Sequence, residues 1–133
     1  MSERAGGAAL PPLVLIVDDE RRNRQLLEVM LRPEGYRLAT AATGEEAIEL
    51  MAHTRPDLVV LDVMMPGMDG YQVAARIKAD DATSGIPVIL LSSLDDSNSR
   101  AHGLRAGAEE FLTKPVNRAE LAARVRSLLR RTD

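Results

Sequence analysis

The sequence contains no cysteine and no tryptophan, and only two histidines, His53 and His102. Thiol catalysis, a cysteine-ligated zinc site and a disulfide scaffold are therefore excluded, and a histidine-rich metal centre has too few ligands. Aromatic residues are as scarce: Tyr36, Tyr71 and Phe111 offer no platform on which single-stranded bases could stack. An excess of positive charge is missing too. The formal net charge is −3, which gives no general attraction to nucleic acid or to an acidic membrane. No apolar run approaches the ~20 residues needed to cross a bilayer, and the opening stretch lacks the unbroken apolar core of a secretory signal. These absences point to a cytoplasmic protein. What is present is 133 residues, 45% hydrophobic and 28% charged, the length and make-up of one globular domain. Such a chain buries roughly two-thirds of its surface and folds without metal or disulfide. Its chemistry must come from carboxylates, hydroxyls and lysine.

The Ala- and Gly-rich stretch from Met1 to Pro12 reads as a flexible leader, and residues 13–131 as the domain. Within the domain, apolar strands and amphipathic helices alternate. Leu13–Val17 is a continuous apolar run, the pattern of a strand buried on both faces. Leu26, Leu27, Met30 and Leu31 then repeat at helical spacing until Pro33 and Gly35 stop them. Tyr36–Thr40 reads as a second strand, Gly44–Met51 as a helix, and Leu58–Leu61 as a third strand. A proline and two glycines mark Met65–Gly70 as a loop before a helix over Gly70–Asp80. A fourth strand over Ile86–Leu91, a weak helix over Ser99–Ala106, a short strand over Phe111–Thr113 and a last helix from Asn117 to Arg130 complete the pattern. Asn117 is the natural N-cap of that helix. Apolar strands alternating with helices predict an α/β fold with a parallel sheet covered on both faces. Five repeats are too few for an eight-stranded barrel, which leaves an open, doubly wound sheet with its site beyond the carboxyl ends of the strands.

The residues at those ends form a coherent set. The first strand ends in Asp18-Asp19, the third in Asp62, the fourth in Ser92-Ser93 and the fifth in Lys114-Pro115. Taken singly, Asp18 or Asp19 reads as a helix cap, Ser92 as a turn hydroxyl and Lys114 as a solvated cation. Asp62 is harder to dismiss, because apolar residues flank it on both sides and an uncompensated charge there is costly. Converging on one edge, three carboxylates repel one another unless a cation lies among them. Their hard oxygens suit Mg²⁺. A carboxylate, Mg²⁺, a lysine and a hydroxyl are the parts needed to hold a phosphoryl group, and a carboxylate can itself become the nucleophile. The predicted chemistry is phosphoryl transfer onto an aspartate.

Four segments resemble, in order and spacing, the receiver domain of two-component response regulators. They are Val17-Asp18-Asp19-Glu20, Leu61 to Gly70, Leu91-Ser92-Ser93 and Phe111-Leu112-Thr113-Lys114-Pro115. The resemblance implies a flavodoxin-like, doubly wound five-stranded parallel sheet of order 2-1-3-4-5 flanked by five helices. It implies that Asp62 is the phosphoacceptor, and that Asp19, Asp62 and the main-chain carbonyl of Met64 bind Mg²⁺ directly while Asp18 acts mostly through water. Ser92 matches the switch hydroxyl, and Lys114 the lysine that contacts the phosphoryl oxygens, with a cis bond to Pro115. Phe111 matches the switch aromatic and is expected to rotate inward from an exposed position. Met64 and Leu94 stand at positions that tune dephosphorylation in the family. Both are apolar, which predicts a persistent phosphoryl group.

The resemblance further implies that the phosphoryl group comes from a sensor histidine kinase or a histidine phosphotransfer protein. Such a domain is a phosphoacceptor that catalyses only its own phosphorylation and dephosphorylation, not an enzyme acting on a separate substrate. The expected output surface is the face of the fourth helix, fifth strand and fifth helix, including Ala101, Leu104, Phe111, Arg118 and Leu121, which would meet a downstream partner or a second copy. His53 reads as an exposed cap and His102 as solvated. The run Arg21, Arg22, Arg24 reads either as a solvated helix face or as a guide for an acidic partner. An aspartate-nucleophile hydrolase would need a second acid where Met64 stands, together with a cap over its substrate. A flavodoxin-like cofactor carrier would want a phosphate loop where Asp18-Asp19-Glu20 would repel phosphate. Two alternatives stay open: a receiver cut from a larger regulator such as a cyclic-dinucleotide synthase, and a receiver-like binding module independent of phosphorylation.

Overall fold

The computed structural model describes residues 10–94 and 96–132. The expected leader lies, up to residue 9, outside the described residues. Pro11 and Pro12 are already tied to the domain, because Arg37 donates to their carbonyls through its Nε (2.9 Å) and its N–H (2.9 Å) respectively.

Five strands, β1 (Leu13–Val17), β2 (Arg37–Ala41), β3 (Leu58–Asp62), β4 (Val88–Ser92) and β5 (Glu110–Thr113), form one sheet. The order is β2-β1-β3-β4-β5 and every pairing is parallel. Helices α1 (Arg21–Leu31), α2 (Gly44–His53), α3 (Gly70–Ala79), α4 (Ser97–Arg105) and α5 (Arg118–Thr132) connect them. Each strand feeds two cores, since successive side chains point to opposite faces. Leu15 and Val17 pack with Ala47, Met51, Val73 and Ile77 on the α2–α3 face, whereas Val14 and Ile16 pack with Leu27, Leu31, Leu121 and Val125 on the α1–α5 face. This two-sided burial is why β1, β3 and β4 read as unbroken apolar runs.

The helix starts are written in the sequence as caps. Thr43 Oγ1 accepts from the Glu46 N–H at 3.0 Å, and Asn117 Oδ1 accepts from the Glu120 N–H at 2.9 Å. Asp69 and Gln72 exchange side-chain and backbone hydrogen bonds, both at 2.9 Å, in a capping box at the start of α3. Some bounds differ from the sequence pattern. β4 starts at Val88 rather than Ile86, because Pro87 has no N–H to give the ladder and the Ile86 N–H turns back to Thr83 O (2.9 Å). α4 starts at Ser97 rather than Ser99, capped by Asp96, whose side chain accepts from the Ser99 N–H at 2.7 Å.

At the sheet edge away from the strand carboxyl ends, Lys78 joins three segments. Its Nζ donates to Ile86 O (2.7 Å) and Ser84 O (3.3 Å) and pairs with Glu109 Oε2 (2.9 Å). The other Glu109 oxygen accepts from the Val88 N–H at 2.7 Å.

Candidate functional site

The strand ends do converge. Asp18 follows β1 with no exposed surface; its N–H donates to Ala41 O (3.2 Å) and its Oδ1 accepts from the Glu20 N–H (2.9 Å). Asp62 closes β3 and is also buried, whereas Asp19 is exposed. Carboxylate oxygens of Asp18, Asp19 and Asp62 lie within 4.8 Å of one another. Lys114 follows β5, its backbone N–H donating to Ser92 O at 2.8 Å, and its Nζ stands 2.6 Å from Asp62 Oδ1 and 3.6 Å from Asp18 Oδ2. The Lys114–Pro115 bond is cis.

These neighbours set the charges. Burial pushes the Asp62 carboxyl up from 3.8 to about 6; contact with Lys114 works against that rise, and repulsion from Asp18 and Asp19 adds to it. For Lys114, burial alone would favour loss of the proton, but Asp62 and Asp18 outweigh it and hold the ammonium above its ordinary value. Asp18 Oδ2 and Asp62 Oδ1 are sealed from solvent without an aligned hydrogen bond, so Lys114 touches Asp62 as a close charge contact. Two buried carboxylate oxygens short of partners, with a third carboxylate in reach, form a hard-oxygen donor set that suits a small divalent cation. The residues present therefore fit Mg²⁺.

Ser92 is fully buried at the end of β4, and its Oγ accepts from the Leu94 N–H at 3.0 Å. Met64 and Leu94 are exposed, so the flanks of the cleft carry apolar side chains. Three expectations need correction. Phe111 is only 8% exposed, not an outward-facing ring. It lies beneath the Arg100 guanidinium, 5.2 Å from the ring centroid, and close under Gly103 of α4. Leu121, expected on the output face, is fully buried in the α1–α5 core. His102 is exposed but not simply solvated, since it stacks on Tyr71 with ring centroids 3.8 Å apart.

The basic run of α1 divides. Arg21 and Arg22 are exposed, but Arg24 is half-buried and donates from a terminal guanidinium nitrogen to Asp18 O at 2.8 Å. Sequence reasoning missed this contact. The available signal was spacing: Arg24, Leu27 and Leu31 lie three and seven residues apart, on one inward helix face.

Residues 14–126 match the family described as the response regulator receiver domain. The chain belongs to that family. As a receiver domain it is 48% identical over 117 residues to the response regulator PleD of Caulobacter vibrioides, covering 88% of this chain and 26% of PleD. It is 43% identical over 120 residues to the transcriptional regulatory protein AfsQ1 of Streptomyces coelicolor, covering 90% of this chain and 52% of AfsQ1. The chain thus spans between about a quarter and a half of the length of these relatives. Among solved structures, the receiver domain of the Francisella response regulator 1452 superposes with a TM-score of 0.86 at 34% identity, covering 92% of this chain and 99% of that one. The receiver domain of sensor histidine kinase PA1611 from Pseudomonas aeruginosa PAO1 superposes with a TM-score of 0.82 at 31% identity, covering 90% of this chain and 98% of that one. That structure has a magnesium ion coordinated in its active-site cleft. This chain therefore is a response regulator receiver domain with that family's five-stranded fold. Among the described residues, no helix is long and apolar enough to cross a membrane.

Proposed function

We propose that this receiver domain takes a phosphoryl group onto Asp62 from a phosphohistidine of a sensor histidine kinase or a histidine phosphotransfer protein. The observation that carries the reading is the buried Asp62 carboxylate, with an oxygen that lacks an aligned hydrogen bond, held between Lys114 and two further acids. An ionised Asp62 oxygen attacks phosphorus, the P–N bond breaks, and the donor imidazole leaves with the bonding pair. With a pKa of about 6, Asp62 is mostly ionised at neutral pH and so ready as a nucleophile. Asp19, Asp62 and the Met64 carbonyl would hold Mg²⁺, with Asp18 acting largely through water. Mg²⁺, when bound, supplies positive charge to the phosphoryl oxygens.

Lys114 then exchanges one partner for another: its ammonium, now against Asp62 Oδ1, pairs with a phosphoryl oxygen. The Ser92 hydroxyl, whose oxygen already accepts from Leu94, keeps its proton to donate to the same group. Response moves through Ser92 and Phe111 to the α4–β5–α5 face, where a downstream protein or a second copy would dock. Ala101, Leu104, Phe111 and Arg118 belong to that face; Leu121 supports it from below. Because Phe111 is already covered, the change there is one of α4 over the ring rather than inward rotation of an exposed one. In this reading the domain occupies residues 13–131 of a cytoplasmic protein, touches no nucleic acid itself and is a phosphoacceptor rather than an enzyme.

The test is Asp62→Asn, which preserves shape and removes the nucleophilic charge. Acetyl phosphate with Mg²⁺ should add one phosphoryl group, ~80 Da by intact mass, to the parent protein and none to the variant. Equal phosphorylation of both would move the acceptor elsewhere.

A further inference from the structure

Asp18 is held at nearly every polar atom it has. Its N–H donates to Ala41 O, its Oδ1 accepts from the Glu20 N–H, and its carbonyl accepts from Arg24 at 2.8 Å. Only Oδ2 is left without an aligned hydrogen bond, 3.6 Å from Lys114 Nζ. The carbonyl gripped by Arg24 belongs to the peptide that joins Asp18 to Asp19. Fixing that peptide plane fixes the position of the Asp19 Cα, the point from which its side chain leaves the loop. Asn23, also on α1, steadies the same turn by donating to Glu20 Oε1 at 2.7 Å. Thus α1 reaches back over the turn that precedes it, and the acid pair is set by a helix that carries no acid of the cleft.

We infer that Arg24 is a positioning residue for the metal cleft: by orienting the Asp18–Asp19 peptide it prearranges the carboxylates for Mg²⁺. The inference rests on the magnesium reading above. A competing role exists for the same cation, as a counter-charge to the acids, and the two roles have opposite signs. Loss of a positioning contact weakens metal binding, typically by ~10–100-fold for groups that orient ligands. Loss of a mere counter-charge strengthens it, because the acid cluster becomes more negative.

The experiment is titration calorimetry with MgCl₂ alone on the parent protein, Arg24→Gln, Arg24→Lys and Asp19→Ala, with a metal-free thermal melt of each. Arg24→Gln should bind Mg²⁺ about tenfold more weakly. Arg24→Lys, which can still donate to the Asp18 carbonyl, should lose less than about threefold. Both should melt within a few degrees of the parent without metal, since Arg24 is only half-buried. Unchanged or tighter binding by Arg24→Gln would overturn the positioning role while leaving the magnesium reading intact. So would an equal fall in metal-free melting for both variants that accounts for the lost affinity. A parent protein that binds no Mg²⁺, or binds it undiminished in Asp19→Ala, would remove the magnesium reading and this inference with it.

Discussion

Helices α3 and α4 lie on the same face of the sheet, beside the same cleft, yet they are attached in different ways. α3 begins with a capping box and buries Gly70, Val73, Ala74 and Ile77. Its first residue presses so closely on the end of β3 that a Cβ at Gly70 would run into Asp62 O and lie 2.7 Å from Val63 Cα. α4 buries only Gly103. Other attachments of α4 are side-chain contacts: Arg100 over Phe111, the Tyr71 hydroxyl donating to Ser99 O at 3.3 Å, and Tyr71 stacked on His102. α3 therefore cannot shift without disturbing the backbone of Asp62, whereas α4 can move while the acids stay in place. In the proposed reading α4 is the side that responds, so the cleft combines a fixed chemical side with a lightly held responding one.

The strongest way to break this contrast is to fill the two helix glycines. Gly70→Ala should destabilise the domain by about 3 kcal/mol or more, because backbone atoms block the new methyl. At Gly103 a Cβ would meet Phe111 Cδ2 at 3.0 Å and Leu90 Cδ1 at 3.1 Å, side-chain atoms that can yield. The ~1 kcal/mol gained in helix propensity offsets that crowding, so Gly103→Ala should change stability by less than about 1 kcal/mol. Urea unfolding measures both, and similar losses would end the distinction.

A second effect belongs to the fixed side alone. Asp62 titrates at 3.8 in an ordinary environment and at about 6 in the fold, so folding favours its protonated form. That contribution is fully present below pH ~4 and is lost as pH rises through ~6, up to about 3 kcal/mol for two units. Metal-free protein should therefore show a declining unfolding free energy over this window, and the Asp62 part of the decline should vanish in Asp62→Asn. Saturating Mg²⁺ should flatten it in the parent. A parent profile that matched Asp62→Asn without metal would contradict the electrostatics described.

The smallest effect sharpens the responding side. Tyr71→Ala removes the stack on His102 and the bond to Ser99, worth about 1 kcal/mol together. Amide exchange should speed up about fivefold within α4, with α3 changed much less. Equal acceleration in both helices would show that Tyr71 supports the whole face.

Much of this was legible in advance because burial on both faces writes continuous apolar runs, and because polar residues at strand ends interrupt them abruptly. Asp18, Asp62 and Lys114 could be placed at one edge on that pattern alone. Strand order could not: periodicity says nothing of which strands are neighbours, and the order came with the family resemblance. The bounds of α4 were blurred because a helix burying one glycine has almost no apolar period to read. Ile86 misled for the opposite reason, being buried but bonded into a turn. The covering of Phe111 depends on Arg100 and Gly103, ten residues or so away in sequence, and no local pattern reports it.

The ammonium of Lys78 gives the responding side its mechanics. It clamps the segment before β4 to Glu109, just ahead of β5, at the end of the sheet remote from the acids. β5 is tied at its other end as well: the Glu109 N–H donates to Val88 O at 3.0 Å beside the clamp, and the Lys114 N–H donates to Ser92 O at 2.8 Å beside the cleft. Between those points its four residues pair in register with β4. β5 is thus a rail rather than a lever: movement on this side falls to α4 and to the side chains above the strand, while the backbone that carries Lys114 keeps its place.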